Sequence, residues 1–342
     1  MSKDAQILAM LADGQFHSGQ ELAQQFGLSR SGIWKAVQSL QSKGVEVFAV
    51  QGKGYRLSQP LELLNSAAIE TTKRALQLKS QQSRSQPQGQ TRTQTHDGEV
   101  GEVTVLWDVD STNRYLMEQA FNGCASGSTC LAEMQTAGRG RRGREWVSPL
   151  GGNIYLSQLW QFNGGPAALS GLSLVAAIAV VRVLREMGIT QAGVKWPNDI
   201  LVDDKKLAGI LLEIQGESAG PTRVIVGLGL NVRLPDILAH TIDQPCTSLE
   251  NLTQRPVQRN KLAASLIDEL LKVYQAFSQS GFAAFVDEWH MLDIFRDKKV
   301  NLKLPAGVLT GMSRGVDIAG AIRLEQNGEV TSFQSGEVSL RR

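Results

Sequence analysis

Residues 138–144 read Gly-Arg-Gly-Arg-Arg-Gly-Arg and lie between two apolar runs, residues 129–132 and 154–160. Glycine lets backbone N–H groups approach a ligand closely, and arginine presents a charged planar fork that matches phosphate or carboxylate. Because apolar segments flank this stretch on both sides, we place it in a loop of a globular domain. The residues predict a loop that closes over an anion. An Arg/Gly patch that binds nucleic acid is the alternative.

The overall composition is that of an ordinary soluble protein. The chain has 342 residues and a net charge of +2, so nucleic-acid binding would require a local basic surface. Its three cysteines show no CxxC spacing, and the N-terminus lacks a signal-peptide pattern, which together predict a cytoplasmic protein. The longest apolar run, residues 172–184, is too short to span a bilayer and contains Arg182. It predicts a buried helix from Pro166 to about Met187 and no membrane partner.

The boundaries between domains are predicted from a polar segment. Residues 80–97 contain none of the hydrophobic residue types, and six of them are glutamine, so they cannot bury enough surface to order themselves. We therefore divide the chain into an N-terminal domain (1–66), a linker (67–99, flexible over 80–97), a large domain (100–294) and a C-terminal domain (295–342). The long linker predicts weak mechanical coupling between the first two domains.

The N-terminal domain has the pattern of a winged helix-turn-helix. Ser18 and Glu21 form a capping box that begins one amphipathic helix, and Gly27 ends it before the next helix. A hairpin over residues 45–57 with Lys53 at its tip follows as the wing. A three-helix protein–protein module is the alternative. The predicted DNA-contacting residues are Arg30, Ser31, Trp34, Lys35, Gln38 and Lys53.

The large domain alternates strand and helix patterns, and short alternating strands separated by glycines follow from about residue 298. The second pattern predicts a small β-barrel at the C-terminus. Glycines of the segment 227–231 follow a strand without dinucleotide-site spacing, so we expect them to let a ligand or backbone approach the sheet. No GxxxxGK[ST], HExxH or GxSxG pattern occurs, which disfavours P-loop ATPases, zinc proteases and serine hydrolases.

Four polar segments of the large domain could carry chemistry. Residues 110–113 (DSTN) precede a helix, where a simple N-cap is the alternative to ligand binding. Gln135 can donate and accept hydrogen bonds at once, as a urea-like or amide-like ligand requires. Residues 195–199 (KWPND) could be a plain turn. Lys206 begins an apolar strand near Gly209, which leaves room for a phosphate or carboxylate beside its cation.

Taken together, these segments resemble the bacterial bifunctional biotin protein ligase and biotin operon repressor family. The strings DSTN, AEMQTAGRGRRGREWVSPLGGNIYLS, VKWPNDI, KLAGILLE and GLGLN occur in the family's order over nearly the whole chain. The resemblance implies an α+β fold with three parts. These are a winged helix-turn-helix, a central mixed α/β ligase domain of the class II synthetase-like biotin/lipoate ligase type, and a C-terminal SH3-like β-barrel.

The resemblance also implies an activity with two half-reactions. Biotin and Mg·ATP would give biotinyl-5′-adenylate and pyrophosphate, and biotin would then pass to a lysine of the biotin carboxyl carrier protein of acetyl-CoA carboxylase. Catalytic roles are implied for Lys206 and Arg141. Biotin or adenylate binding is implied for Ser111, Thr112, Asn113, Gln135, Arg139, Gly140, Arg141 and Lys206. ATP and Mg²⁺ contacts are implied for Lys195, Asn198, Asp199 and Asn231, without a permanent metal site.

A regulatory role follows from the same resemblance. The adenylate-bound form would be a homodimer that binds operator DNA and represses biotin-synthesis genes. Three alternatives stay open from the sequence: a lipoate–protein ligase, a ligase whose helix-turn-helix does not bind DNA, and a transcription factor that binds an effector without catalysis.

Overall fold

The computed structural model describes residues 2–83, 101–215, 221–304, 307–334 and 339–341. Along these residues the chain forms a helical N-terminal part with a two-stranded hairpin, a large part built on a seven-stranded sheet, and a five-stranded sheet near the C-terminus. The predicted α+β class and the order of its three parts are confirmed.

The N-terminal part has the predicted arrangement of three helices and a hairpin. Its elements are α1 (Lys3–Leu11), α2 (Gly19–Phe26), α3 (Arg30–Ser42), β1 (Val47–Val50) and β2 (Gly54–Leu57). Their inward apolar side chains form one core that includes Ile7, Leu8, Leu11, Leu22, Ile33, Val37 and Leu40. The core forms because apolar residues recur at helical spacing on one face of each helix.

The predicted boundaries of α2 are confirmed in atomic detail. The Ser18 hydroxyl accepts from the Glu21 backbone N–H, and the Glu21 carboxylate accepts from the Ser18 backbone N–H. Gly27 ends the helix in the left-handed region at φ 63°. Each end therefore satisfies backbone groups that a helix terminus leaves without partners.

The segment predicted as a linker is helical in its first part, and the flexibility predicted from residue 80 is wrong for residues 80–83. Residues Ser66–Ser83 form a regular helix, α4, which packs on a long helix of the large part, α9 (Arg259–Ser280). Ile69 is fully buried and Leu76 packs against the same core, at the spacing of one helix face. Tertiary packing therefore orders residues that were assigned to the linker, including 80–83. Residues 84–97 of the predicted flexible segment lie outside the described residues.

The seven-stranded sheet has the order β3-β4-β5-β9-β8-β7-β6, with one parallel pair, β3 and β4, and otherwise antiparallel neighbours. Its strands are β3 (Val103–Val109), β4 (Thr129–Gln135), β5 (Ile154–Phe162), β6 (Gly193–Lys195), β7 (Asp199–Val202), β8 (Lys205–Gln215) and β9 (Thr222–Leu230). The accompanying helices besides α9 are α5 (Thr112–Phe121), α6 (Leu172–Glu186), α7 (Asp236–Ala239), α8 (Leu249–Thr253) and α10 (Val286–Leu292).

The predicted buried helix starts later than expected. Pro166–Leu169 form a separate 3₁₀ turn, and α6 begins only after Gly171, which has φ 84°. A side chain at Gly171 would stand 2.5 Å from the Phe282 ring, so close packing places the break there. The segment 166–186 is long and apolar enough to cross a membrane, but 67% of the apolar 18-residue stretch within it is buried inside the protein. Burial in the core accounts for this composition.

The C-terminal sheet is antiparallel throughout and has the order β13-β12-β11-β10-β14. Its strands are β10 (Lys299–Leu304), β11 (Gly307–Val316), β12 (Ile322–Gln326), β13 (Glu329–Phe333) and β14 (Ser339–Arg341). Residues 335–338, which belong to the strand pattern predicted from about residue 298, lie outside the described residues. The sheet contacts the large part where the buried Trp196 indole donates to the Gly320 carbonyl (3.0 Å).

A buried ion pair attaches the N-terminal part to the large part. Arg259 and Glu133 lie 2.9 Å apart, and each side chain is only 3% exposed. Arg259 also donates to the Glu62 carbonyl (2.9 Å), and Glu133 accepts from the Leu64 backbone N–H. These bonds hold residues 62–64, which follow the winged helix in the chain, against the large part. In addition, Leu150 of the large part inserts into the N-terminal core.

Candidate active site

A cavity of about 480 Å³ lies over the middle of the central sheet. Glycines on two neighbouring strands make the space: Gly227 and Gly229 lie on β9, and Gly229 pairs with Gly209 of β8. A Cβ on Gly227 would stand 2.2 Å from the Asn113 Oδ1 atom, and one on Gly229 would stand 2.3 Å from the Trp146 ring. These glycines let the side chains of Asn113 and Trp146 approach the sheet closely, where the sequence predicted a ligand or another backbone.

A network of uncharged polar groups fills one end of the cavity. The Gln135 side-chain oxygen accepts from the Thr112 backbone N–H (2.9 Å) and lies 3.1 Å from its hydroxyl. The Ser157 hydroxyl lies 2.8 Å from the Thr112 hydroxyl and 2.5 Å from the Asn113 side-chain oxygen. Thr112, Asn113 and Ser157 are buried, as is the neighbouring cavity residue Ser111. This end can recognise a neutral ligand with both donors and acceptors.

The Arg/Gly loop covers this pocket from one side. The Arg139 guanidinium lies 3.0 Å from the Glu213 carboxylate on β8, and the backbones of Arg139 and Glu145 form an isolated antiparallel bridge across the loop. The Gly140 backbone N–H donates to the Arg144 carbonyl (2.7 Å). The loop therefore closes on itself and contacts the sheet.

Two cations face the middle of the cavity. The Lys206 ammonium lies 2.8 Å from the Asp199 carboxylate and 5.3 Å from the centre of the Trp146 ring. Arg141 donates to the Asn198 side-chain oxygen (3.4 Å). Burial lowers the pKa of Arg141 from its ordinary value, the Arg142 charge adds to this effect, and Asp199 opposes it. Because a guanidinium still stays charged, this part of the cavity favours an anion.

The structure brings together every predicted binding residue of the large domain except one. Lys195 lines the cavity with its ammonium 5.9 Å from the centre of the Phe295 ring. Asn231, in contrast, does not line the cavity: its buried amide donates to the Thr247 carbonyl (3.2 Å) and supports a neighbouring loop. The contact of Asn231 with ATP or Mg²⁺ therefore stays a prediction that the cavity lining does not support.

Sequence reasoning missed three residues of this site. Trp146 packs on Gly209 and Gly229, which together form the glycine floor of the cavity. Ser157 joins the polar network, and Glu213 forms an ion pair with Arg139 of the loop. Trp146 and Ser157 lie in the segment 132–157, which also contains the arginines of the loop, and Glu213 lies near the end of β8, the strand that contains Lys206. Their signal is positional, since alternate strand residues face one side of a sheet.

The predicted DNA-contacting residues all lie on exposed positions of α3 and the hairpin. The Trp34 side chain is 54% exposed, and Arg30 donates to the Gln20 side-chain oxygen (2.9 Å). At the wing, Lys53 lies 5.8 Å from the centre of the Phe16 ring, and Arg56 lies 5.1 Å from it. A basic surface with exposed aromatic groups is typical of nucleic-acid binding.

Comparison with known proteins agrees with this geometry. The biotin/lipoate A/B protein ligase family model matches residues 106–231, an HTH-domain model matches 3–56, and a biotin protein ligase C-terminal domain model matches 297–341. The bifunctional ligase/repressor BirA of Escherichia coli (strain K12) is 41% identical over 98% of this chain and 96% of its own length.

The chain belongs to the biotin protein ligase family. It is a biotin protein ligase of the bifunctional ligase/repressor type, with the enzymatic parts joined to a helix-turn-helix. The biotin–[acetyl-CoA-carboxylase] ligase of Mycobacterium tuberculosis (strain ATCC 25618 / H37Rv) is 33% identical over 69% of this chain and 88% of its own length. The biotin protein ligase of Aquifex aeolicus, solved in complex with biotin and ATP, has a TM-score of 0.61 and 28% identity, and covers 70% of this chain and 98% of its own.

The glycine floor of this ligase gives a testable prediction. Gly229→Ala should weaken biotin binding about tenfold, because its Cβ would displace the Trp146 ring at a cost of about 1–3 kcal/mol. Isothermal titration with biotin measures the effect. Gly32→Ala on α3 is the matched control, since its nearest neighbour atom would stand at an ordinary 3.4 Å. Equal affinities in the two variants would contradict the predicted role of the floor.

Proposed function

We propose that this ligase activates biotin with ATP in the cavity on the central sheet. A biotin carboxylate oxygen attacks the α-phosphorus of ATP, and the bond to the bridging oxygen breaks, which gives biotinyl-5′-adenylate and pyrophosphate. The observation that supports this most strongly is the position of Lys206 and Arg141 beside a pocket of uncharged polar groups. Such a cavity suits a ligand with a neutral polar ring system at one end and an anion at the other.

Biotin would occupy the polar end of the cavity. Its ureido group offers both donors and an acceptor, which matches the hydroxyls of Ser111 and Thr112. The Gln135 oxygen already accepts from Thr112, and its NH₂ group donates one N–H to Ser148 (3.2 Å), so Gln135 would contribute its second N–H. Both N–H groups of the Asn113 amide are already engaged, by the Glu213 carboxylate (2.7 Å) and the Leu211 carbonyl (3.4 Å). Asn113 would therefore shape the pocket more than it reads the ligand. Arg139 and Gly140 would close the loop over this end.

The two cations would stabilise the charge of the reacting groups. A carboxylate and a polyphosphate repel each other, so bringing them together requires fixed positive charge. In the structure the Lys206 ammonium pairs with the Asp199 carboxylate, and both side chains are 16% exposed. We infer that Lys206 moves its ammonium from Asp199 to the biotin carboxylate and α-phosphate when ligand binds. Arg141 would hold the phosphate from the loop side.

The residues also fit a divalent cation that arrives with the triphosphate. Among the described residues, no group of three His, Cys, Asp or Glu side chains could hold a metal ion. Mg²⁺ needs only one or two protein carboxylates when phosphates complete its ligands, and Asp199 supplies one in the cavity. When bound, Mg²⁺ would neutralise triphosphate charge. Lys195 and Asn198 would lie on the same side.

The second half-reaction we propose is transfer to a protein lysine. The amine of one lysine on the biotin carboxyl carrier protein of acetyl-CoA carboxylase attacks the biotin carbonyl carbon, AMP leaves, and the amine loses a proton. Intact mass spectrometry of the carrier after incubation with ligase, ATP and biotin tests this. One biotin per carrier with biotin, and no addition with lipoate, is the expected result. Transfer of lipoate instead would contradict it.

We further propose that the adenylate-bound ligase forms a homodimer in the cytoplasm and represses biotin-synthesis genes by binding operator DNA. The support is the exposed basic surface on α3 and the wing, and two such surfaces in a two-fold dimer would match two half-sites. Sedimentation and gel shifts, each with and without biotin and ATP, test it. If biotin and ATP together changed neither the sedimenting mass of the protein nor its affinity for the operator, the proposal would be contradicted.

The DNA surface gives a second testable prediction. Lys35→Ala should weaken operator binding and reduce the slope of log affinity against log salt by about 1, because one phosphate contact is lost. Lys272→Ala, an exposed lysine on α9, is the matched control and should leave the slope unchanged. Fluorescence anisotropy over a series of salt concentrations measures both. An unchanged slope for Lys35→Ala would show that this side chain makes no phosphate contact.

A further inference from the structure

Glu213 connects two parts of the ligand site that are far apart in sequence. One carboxylate oxygen lies 3.0 Å from the Arg139 guanidinium, and the other accepts from the Asn113 side-chain amide at 2.7 Å. Arg139 stands at the start of the Arg/Gly loop, whereas Asn113 lies in the first turn of α5. Glu213 itself is near the end of β8, paired with Ile225 of β9 in the central sheet. A rigid strand therefore holds both groups in place.

The chemistry of these contacts requires a carboxylate. Both partners present N–H donors, so the residue between them must accept twice. Glutamate has two accepting oxygens, whereas glutamine has one oxygen and a donor NH₂ that would face one partner's N–H groups. The Glu213 side chain is only 26% exposed, and Asn113 is buried. Replacement by glutamine would therefore keep the shape and lose one of the two bonds.

We propose that Glu213 is a positioning residue. It holds the Arg139 end of the loop over the polar pocket and at a fixed distance from Asn113. It touches neither reacting group and acts through the two residues it bonds. The identity of this ligand as biotin rests on the proposed function. The effect on the loop itself does not depend on which ligand the cavity takes.

The first test uses the unliganded protein and needs no activity. Limited trypsin digestion cuts after arginine, and the loop over 138–146 contains four arginines. Glu213→Gln should speed cleavage in this loop about tenfold, because a charge-assisted bond that holds the loop is lost. Glu118→Gln is the matched control, since Glu118 pairs at 3.4 Å with the exposed Arg114 on the surface of α5. Equal cleavage rates for the two variants would overturn the proposal.

The second test separates positioning from a loss of folding. In biotin-dependent ATP–pyrophosphate exchange, Glu213→Gln should raise the KM for biotin about tenfold and change kcat by less than about twofold. A variant that merely folded less well would lose kcat and keep its KM. In a double-mutant cycle, adding Glu213→Gln to Arg139→Gln should raise KM by much less than Glu213→Gln does alone. Additive effects in the cycle, or an unchanged KM in the single variant, would contradict the proposal. Absence of exchange in the unmodified ligase would instead contradict the proposed function and leave the trypsin result standing.

Discussion

Lys206→Ala is expected to slow biotin-dependent ATP–pyrophosphate exchange about 10²–10³-fold, the usual cost of removing a group that stabilises charge at a reacting centre. Lys206 is the ammonium that lies beside Asp199 in the middle of the cavity. Without it, the biotin carboxylate and the α-phosphate would meet with less compensation for their repulsion. The loss should appear in kcat as well as in kcat/KM, because the charge interaction strengthens as the adenylate forms.

The neighbouring lysine offers a matched control for this prediction. Lys205 precedes Lys206 on β8, but its side chain is exposed and is not among the residues that line the cavity. Lys205→Ala should therefore keep exchange within about twofold of the unmodified ligase. Unfolding curves for both variants would show whether each still folds. Similar activities for the two variants, both well folded, would refute the assigned role of Lys206.

Glu133→Ala is expected to destabilise the protein by about 3–5 kcal/mol, since it leaves the buried Arg259 charge without its partner. Both side chains are only 3% exposed, and the pair also fixes the Leu64 backbone. The substitution should therefore loosen the attachment of the N-terminal part as well. Urea unfolding followed by tryptophan fluorescence measures it, because five of the six tryptophans lie in the large domain.

An exposed ion pair on α5 provides the comparison. Arg114 lies 3.4 Å from Glu118, and both side chains are 62% exposed. Glu118→Ala should cost no more than about 1 kcal/mol, because water screens the pair and replaces its hydrogen bonds. If Glu133→Ala shifted the urea midpoint no more than Glu118→Ala, the buried pair would not hold the two parts together.

Local rules predicted the elements whose determinants are local. The capping box at Ser18 and the left-handed Gly27 each depend on neighbours in sequence, and both were found where expected. The linker prediction failed at α4 because its order comes from packing on α9, almost 200 residues further along the chain. The start of α6 was misplaced for a similar reason, since Phe282 occupies the space beside Gly171.

The candidate site was predictable in its charges and less so in its shape. Lys206, Arg141 and Gln135 could be chosen because their residue types suit the chemistry, and the cavity contains all three. Asn231 lies outside the cavity lining, because its amide bonds a backbone carbonyl on a neighbouring loop. Glu213 and Trp146 act through contacts across the sheet. Strand register decides such contacts, and register does not follow from spacing alone.

The central claim is that the cavity makes an acyl-adenylate from biotin, and isotope exchange tests it most directly. Purified protein would be incubated with ATP, labelled pyrophosphate and Mg²⁺, with biotin, with lipoate or with no acid. The account predicts that label enters ATP with biotin alone, because only a reversible adenylation of that acid returns pyrophosphate to ATP. Exchange with lipoate alone, or no exchange with either acid, would contradict it.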